Sequence, residues 1–384
     1  MPLFVLAHFG HHLIAALLQP LLPFIRDDFA LGYAQAGWVV SAFTLAYGFS
    51  QLPAGWLADR IGSRILITLG ISGVAACGFL VGLSPSYTVM VIFLVVMGVI
   101  GGGYHPAASP LVSASVEEQN RGRALGLHQI GGTASFFLTP LIAVGIASAL
   151  GGWRGSFTAL SVLIFIFGII LFVLLGKRGY TRQNKEQKPE SHAETAPTRS
   201  YLRRLIPFII LGTTVQISVF STISFIPLFA VDHLGVGEEA GAALLSLFHS
   251  SGLWAGPLGG YLSDRVGKVP VMLFVSIISG PAIYLLSLVS FGWSISLVLV
   301  VLGICQYAAM PVSEAYVITH VPERKRSTAL GIYYFVSRGG PGLLMPAIGY
   351  LFDRFDFGTS FTVVGVTALA VNLACSLFLW GSRD

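Results

Sequence analysis

The feature that most constrains this chain is a short charged turn that occurs twice. Residues 55–64 and residues 260–268 share Gly, Leu, Asp, Arg and Gly at matching positions, and the copies lie 205 residues apart. The same offset relates Arg121 to Arg326. A repeat at a fixed, long offset indicates a duplicated structural unit. The chain is therefore expected to fold as two equivalent halves.

Each copy of the turn lies between long apolar runs. Hydrophobic residues make up 54% of the 384 residues and charged residues only 10%, whereas a soluble domain carries about 25% charged residues. Runs of about 20 apolar residues are long enough to cross a bilayer as helices. We predict an all-α integral membrane protein with twelve spans, numbered 1 to 12 in chain order: 3–25, 33–58, 65–83, 87–115, 123–149, 153–176, 204–231, 238–262, 270–289, 292–319, 327–351 and 359–380.

The spans group into two predicted pseudo-symmetric six-helix bundles, residues 1–176 and 204–384. The polar stretch 177–203 has too few apolar residues to fold by itself and is expected to be a cytoplasmic linker. It is also too short for a catalytic or sensory domain. The sequence contains no phosphate-binding loop, nucleophile elbow or zinc-protease motif. We therefore expect neither an enzyme nor a bound cofactor.

The distribution of basic residues predicts the orientation. With both termini in the cytoplasm, 18 of the 22 Lys and Arg residues lie on the cytoplasmic side of the membrane. The opposite orientation would invert this bias and violate the positive-inside rule. The net charge of +5 is thus explained by topology and calls for no nucleic-acid partner. We expect membrane lipid to surround the helices.

The doubled turn resembles the loops between helices 2 and 3 and between helices 8 and 9 of major facilitator superfamily transporters. The resemblance covers essentially the whole chain and implies the major facilitator fold, with the turn as a cytoplasmic gate. Glycines permit the tight reversal, an aspartate suits a helix N-terminus, and basic residues suit the cytoplasmic surface. The candidate gating residues are Gly55, Asp59, Arg60, Gly62 and Arg64, with Gly260, Asp264, Arg265 and Gly267 in the second copy.

Two charged residues are predicted to lie inside the membrane. Glu314 lies about two turns from the cytoplasmic end of span 10, and Arg338 lies about 16 Å into span 11 at 1.5 Å per residue. Each such group costs about 2.5–3.5 kcal/mol at a helix centre on insertion scales. Two interpretations remain open: a static ion pair, or a functional pair in which Glu314 takes a proton and Arg338 meets an anionic group.

Histidines are the second set of candidates. His8, His11 and His12 lie on span 1, His105 on span 4 and His128 on span 5. Histidine titrates near neutral pH and suits a proton relay, although a plain hydrogen-bonding role fits each residue as well. The spacing of His8 and His12 also suits a metal, but no Cys or carboxylate joins them in sequence. We therefore predict no metal site.

The neighbours of these histidines sharpen the resemblance. Gly103–Tyr104–His105–Pro106 and Gln129–Ile130–Gly131–Gly132 resemble the fosmidomycin resistance protein branch of the superfamily, as does Tyr33–Ala34–Gln35–Ala36–Gly37. The branch consists of proton-driven drug exporters of the bacterial inner membrane. The resemblance implies substrate or proton contacts for Tyr104, His105, His128 and Gln129. In span 1 the branch has Asp four residues after a His, where this chain has His12.

The leading hypothesis is a monomeric secondary transporter that works by alternating access. It would couple protons to export of a small amphipathic or anionic compound. The alternative is an uptake symporter or facilitator for an organic anion, with Arg338 as the anion anchor. A membrane sensor without transport is a third possibility, against which the short linker argues.

Overall fold

The computed structural model describes residues 1–177, 199–321 and 323–379. Over these residues each of the twelve predicted spans is helical, which confirms the all-α fold. Within the described ranges, eight helices are long and apolar enough to cross a membrane by length and composition. The helices are Pro2–Ala15 and Leu22–Phe29 (span 1); Tyr33–Ile61 (2); Ser63–Thr68, a π-helix Leu69–Gly73 and Val74–Gly82 (3); Tyr87–Gly101 and Tyr104–Ala114 (4); Arg121–Leu150 (5); Trp153–Lys177 (6); Arg199–Ile223 and Ile226–Asp232 (7); Glu238–Ser250, a 3₁₀-helix Ser251–Leu253 and Ala255–Val266 (8); Lys268–Leu285 (9); Trp293–His320 (10); Glu323–Tyr334, a π-helix Phe335–Gly339 and Gly340–Arg354 (11); and Phe357–Ser376 (12).

Several spans predicted as continuous are interrupted. The first helix of span 1 ends at Ala15 and the second begins at Leu22, with a proline in the first turn of the second helix. Span 7 is interrupted at the equivalent place, before Ile226. Proline lacks a backbone N–H and fits the first turn of a helix, so each break is compatible with the residues that follow it.

The repeat is visible in the backbone. Span 2 covers Tyr33–Ile61, and span 8 begins at Glu238 and ends at Val266, so both ends are related by the offset of 205 residues. The turns that follow place Gly62 at φ 87° and Gly267 at φ 100°. Positive φ is readily adopted by glycine alone, which explains why both copies of the turn have glycine there. Residues 178–198 of the predicted linker, 177–203, lie outside the described residues, and residues 199–203 belong to the first helix of span 7. The linker remains a prediction.

The two halves meet along two pairs of spans, span 2 against span 11 and span 5 against span 8. Glycines bring the first pair into backbone contact. A Cβ on Gly48 would lie 2.6 Å from the Cα of Gly339, and one on Gly37 would lie 2.8 Å from the Met345 carbonyl oxygen. Small residues permit this close approach of helices within a membrane.

Hydrogen bonds join the halves at the predicted outer end. The Tyr33 and Ala34 amides donate to Asp353 at 2.7 and 2.9 Å, and Ser148 donates to Glu239 at 2.8 Å. Further contacts of this kind join Gln19 to Ser224, Arg26 and Tyr33 to Asp232, and Ser41 to Gly342. These bonds fasten the two halves to each other at the predicted outer end.

Candidate substrate and proton site

Arg338 lies in the π-helical segment of span 11. A π-helical turn widens the hydrogen-bond ladder locally and is frequent at functional sites. The following Pro341 cannot donate a hydrogen bond to Ser337, which favours this local irregularity. The guanidinium Nη2 of Arg338 contacts the Met310 sulfur of span 10 at 3.1 Å. The cation is therefore held between spans 10 and 11.

Glu314 lies one helical turn beyond Met310 on span 10. The Glu314 side chain interacts electrostatically with Arg338, and its carboxylate is in hydrogen-bonding range of the Tyr334 hydroxyl. Its buried Oε1 atom has no hydrogen-bond partner. The described ion pairs with N–O distances within 4 Å are Arg26 with Asp27 and Asp232, and Arg154 with Asp28. Glu314 and Arg338 are thus neighbours without a direct salt bridge.

Five histidines of the N-terminal half converge into one cluster. His8 stacks on His128 with ring centroids 4.2 Å apart, and it lies 4.8 Å from His12 and 5.1 Å from His105. His11 stacks on Tyr104 at 4.1 Å. Spans 1, 4 and 5 therefore bring together residues that are up to 120 positions apart in sequence.

Backbone carbonyls fix the tautomers of two of these rings. His8 Nδ1 lies 2.8 Å from the His128 carbonyl oxygen, and His128 Nδ1 lies 3.0 Å from the Phe4 carbonyl oxygen. A carbonyl oxygen only accepts hydrogen bonds, so both Nδ1 atoms donate. The Nε2 atoms of His8 and His128 are buried without a partner. His11 differs, since its two nitrogens contact the Gly70 oxygen at 2.7 Å and the Tyr47 hydroxyl at 3.2 Å.

The π-helical segment that carries Arg338 packs against span 2 of the other half, where Phe335 contacts Phe49 with ring centroids 4.8 Å apart. The charge of Arg338 acts on His8, His12 and His105 of the N-terminal half and on Tyr307 of its own half. A second contact between the halves lies nearby, where Phe136 packs on His249 with centroids 5.3 Å apart and His249 bonds the Tyr307 hydroxyl at 2.7 Å. The histidines and the cation thus share one region between the bundles.

The remaining predicted site residues are placed differently. Tyr104 is fully buried among the histidine rings. Gln129 is exposed, and the structure records no side-chain hydrogen bond from it to the cluster. Tyr47, Tyr307 and Tyr334 line the region although the sequence did not single them out. No sequence signal distinguishes such tyrosines from ordinary aromatic core residues.

The described gating residues contact their own halves. Arg64 donates to the Phe172 carbonyl oxygen at 2.9 Å and lies over its ring at 3.7 Å. Arg60 lies over Trp56 at 4.0 Å, and Arg265 over Tyr261 at 4.7 Å. Cation–π contacts of this kind hold Arg60 and Arg265 against their own helices and Arg64 against span 6. Gly55 and Asp59 are in span 2, but the surroundings of these two residues fall outside the described part of the chain.

Comparison with known proteins covers nearly the whole chain. The family model described as Major Facilitator Superfamily matches residues 4–256 and again 242–384. The cis,cis-muconate transport protein of Acinetobacter baylyi is 24% identical over 377 residues, covering 94% of this chain and 89% of that protein. Multidrug resistance protein MdtG of Proteus mirabilis is 24% identical over 315 residues, covering 80% and 77%.

A solved structure resembles the whole chain. A POT family transporter in complex with 5-aminolevulinic acid superposes with a TM-score of 0.83, covering 98% of this chain and 95% of that one. The sequences are 14% identical, so the likeness concerns the fold alone.

Proposed function

The chain belongs to the Major Facilitator Superfamily, and we propose that it is a proton-coupled transporter of a small anionic or amphipathic compound. It is a multi-pass membrane transporter. We place it in a bacterial inner membrane as a monomer with both termini in the cytoplasm. The two bundles, 1–176 and 204–384, would rock about the central region, joined by the linker 177–203.

The observation that carries the proposal is the cation of Arg338. It lies between the bundles, and no described carboxylate approaches it within 4 Å. Its recorded polar contact is a methionine sulfur. A charge within the membrane is costly unless an opposite charge or a polar environment compensates it. A carboxylate or phosphonate group of a substrate would supply that opposite charge.

Glu314 is the proposed proton carrier. Its carboxylate oxygen Oε1 is buried without a hydrogen-bond partner. A carboxyl group in this place can alternate between a neutral, protonated form and a charged form that interacts with Arg338. An anion bound at Arg338 would neutralise that cation and so favour a proton on Glu314. Proton and anion would then bind together, which is the coupling of a symporter. Uptake of an organic anion is the function that this geometry supports best.

Export is the second candidate. The segments 103–106 and 129–132 resemble the fosmidomycin resistance branch, whose members are exporters, and MdtG is named a multidrug resistance protein. Export requires that proton and substrate exclude one another. An amphipathic compound that displaces the proton at Glu314, instead of an anion that recruits it, would satisfy this condition.

Flux in proteoliposomes distinguishes the candidates. The first probe is cis,cis-muconate, chosen from the relative in Acinetobacter baylyi, under pH gradients of either sign. A symporter accumulates the probe on the alkaline side, since proton and anion move together. An antiporter accumulates its substrate on the acidic side. A set of organic anions and amphipathic drugs is then tested under the same gradients. If none of them accumulates under a pH gradient of either sign, proton coupling is refuted.

Variants assign the roles. Glu314→Gln should abolish gradient-driven accumulation but keep exchange of substrate, because glutamine mimics the protonated carboxyl. Arg338→Gln should weaken binding by about 30-fold or more, corresponding to about 2 kcal/mol for truncating one member of a buried charge pair. Undiminished proton-driven accumulation by Glu314→Gln would exclude it as the carrier. Transport restored in the double variant would identify a structural pair instead.

A further inference from the structure

Three imidazoles of the histidine cluster each place one nitrogen that could ligate a metal close to the other two. One ring nitrogen each of His8, His12 and His105 lies within 4.8 Å of the other two. In sequence only His8 and His12 are close, and two ligands were too few to indicate a metal. Packing of span 4 against span 1 supplies the third ligand from 93 residues beyond His12.

The hydrogen bonds leave at least one ring nitrogen of each of these histidines available. His8 donates its Nδ1–H to the His128 carbonyl oxygen, so its buried Nε2 carries a lone pair and has no partner. Histidines that ligate metals characteristically donate their other ring N–H to a backbone carbonyl or a carboxylate in this way. Among the described residues, the ring nitrogens of His12 and His105 make no hydrogen bond.

We propose that His8, His12 and His105 form a binding site for a divalent transition metal ion such as Zn²⁺ or Co²⁺. Neutral imidazole is a preferred ligand of these ions, whereas Mg²⁺ and Ca²⁺ require oxygen donors. Three histidines with a fourth position open to water or a ligand is an established zinc arrangement. Tetrahedral coordination needs nitrogens about 3.3 Å apart, from Zn–N bonds of about 2.0–2.1 Å. The three nitrogens lie within 4.8 Å of one another, so small side-chain rotations bring them to the distance that coordination needs.

The charge of Arg338 opposes a bound cation. It acts on all three histidines from the facing bundle, and the imidazoles themselves bring no negative charge. The site is therefore expected to bind more tightly when this cation is removed, and Arg338→Gln should increase metal affinity. The inference goes beyond the proposed function, since it concerns binding and requires no transport.

The test is metal titration of the purified full-length protein, carrying an affinity tag without histidine and stripped by a chelator. Co²⁺ should bind with one equivalent and produce the visible absorption of a tetrahedral site, and Zn²⁺ should displace it. His12→Gln and His105→Gln should each weaken binding by more than about 100-fold, because even outer-shell partners contribute 10- to 100-fold. Mg²⁺ should not compete.

His11→Gln is the matched control. It neighbours His12 on the same helix, but both of its ring nitrogens already have partners, so metal binding should persist. His249→Gln, in the other half, is a second control. Thermal melting with and without Zn²⁺ reports binding independently, since a ligand of the folded state raises its stability. Absence of stoichiometric binding by the parent, undiminished binding by His12→Gln and His105→Gln, or equal loss in His11→Gln would overturn the proposal.

Discussion

Asp353 is predicted to hold the outer end of the transporter closed. Its carboxylate, at the end of span 11, accepts hydrogen bonds from the Tyr33 and Ala34 amides at 2.7 and 2.9 Å. These are the first residues of span 2, where unpaired N–H groups and the helix dipole favour an anion. Because the bonds join the two halves, opening of the outer end must break them. Asp353→Asn should therefore destabilise the closed conformation alone.

The magnitude follows from the number and type of the bonds. A hydrogen bond to a charged group contributes about 1.5–3 kcal/mol and a neutral one about 0.5–1.5 kcal/mol. Asparagine keeps one acceptor oxygen and loses the charge, and the exposure of Asp353 reduces the effect by solvent screening. We expect a loss of about 1–2 kcal/mol. Because about 1.4 kcal/mol corresponds to a tenfold change in an equilibrium constant, the population open at the outer end should rise about 5- to 30-fold.

The assay is thiol labelling at Ser224→Cys in a protein without Cys77, Cys305 and Cys375. Ser224 is 1% exposed and bonds Gln19 across the junction at 2.8 Å, so a membrane-impermeant maleimide reaches it only when the outer end opens. When opening is fast relative to labelling, the labelling rate follows the open population. Asp353→Asn should raise this rate by the factor given above.

Asp356→Asn is the matched control at the same end of the molecule. Asp356 accepts bonds from the Thr359 amide at 2.8 Å and the Thr359 hydroxyl at 2.6 Å, both within its own half. These bonds hold the pKa of Asp356 below its ordinary value, so the control also removes a charge. An unchanged labelling rate in Asp353→Asn, or an equal rise in Asp356→Asn, would refute the assignment.

Two further predictions concern the junction of the halves and the gate. Gly48→Ala should lower the melting temperature because the new Cβ would lie 2.6 Å from the Gly339 Cα. The control Gly145→Ala, whose new Cβ would have nothing within 4 Å, should not lower it. Equal melting temperatures of the two variants would contradict the packing argument. Asp59→Asn should express normally but transport poorly, and Asp264→Asn should be similar or milder. Normal flux by purified Asp59→Asn in proteoliposomes would remove the gating role.

Several parts of the fold followed from the sequence alone. Apolar runs of about 20 residues predicted all twelve spans to within a few residues, since crossing a bilayer requires local hydrophobicity and length. The offset of 205 residues predicted the equivalence of the halves, which reappears at Gly62 and Gly267. The interruptions of spans 1 and 7 were not predicted, because a run that contains prolines remains apolar.

The candidate site depended on tertiary structure. His8 and His12 are a local pair, but the approach of His105 and the stacking of His128 on His8 depend on how spans 1, 4 and 5 pack. Likewise, the sequence placed Glu314 and Arg338 in the same half without deciding whether they touch.

The physical reason is the distance along the chain over which each sequence signal acts. Hydropathy, charge bias and turn glycines act over about one helix, so the sequence by itself determined the spans, the repeat and the predicted orientation. Which helix faces meet depends on small residues and hydrogen bonds from segments hundreds of positions apart, such as Tyr33 and Asp353. Only the tertiary structure therefore decided that no described carboxylate lies within 4 Å of Arg338, that three histidines converge, and that hydrogen bonds fasten the halves at the predicted outer end.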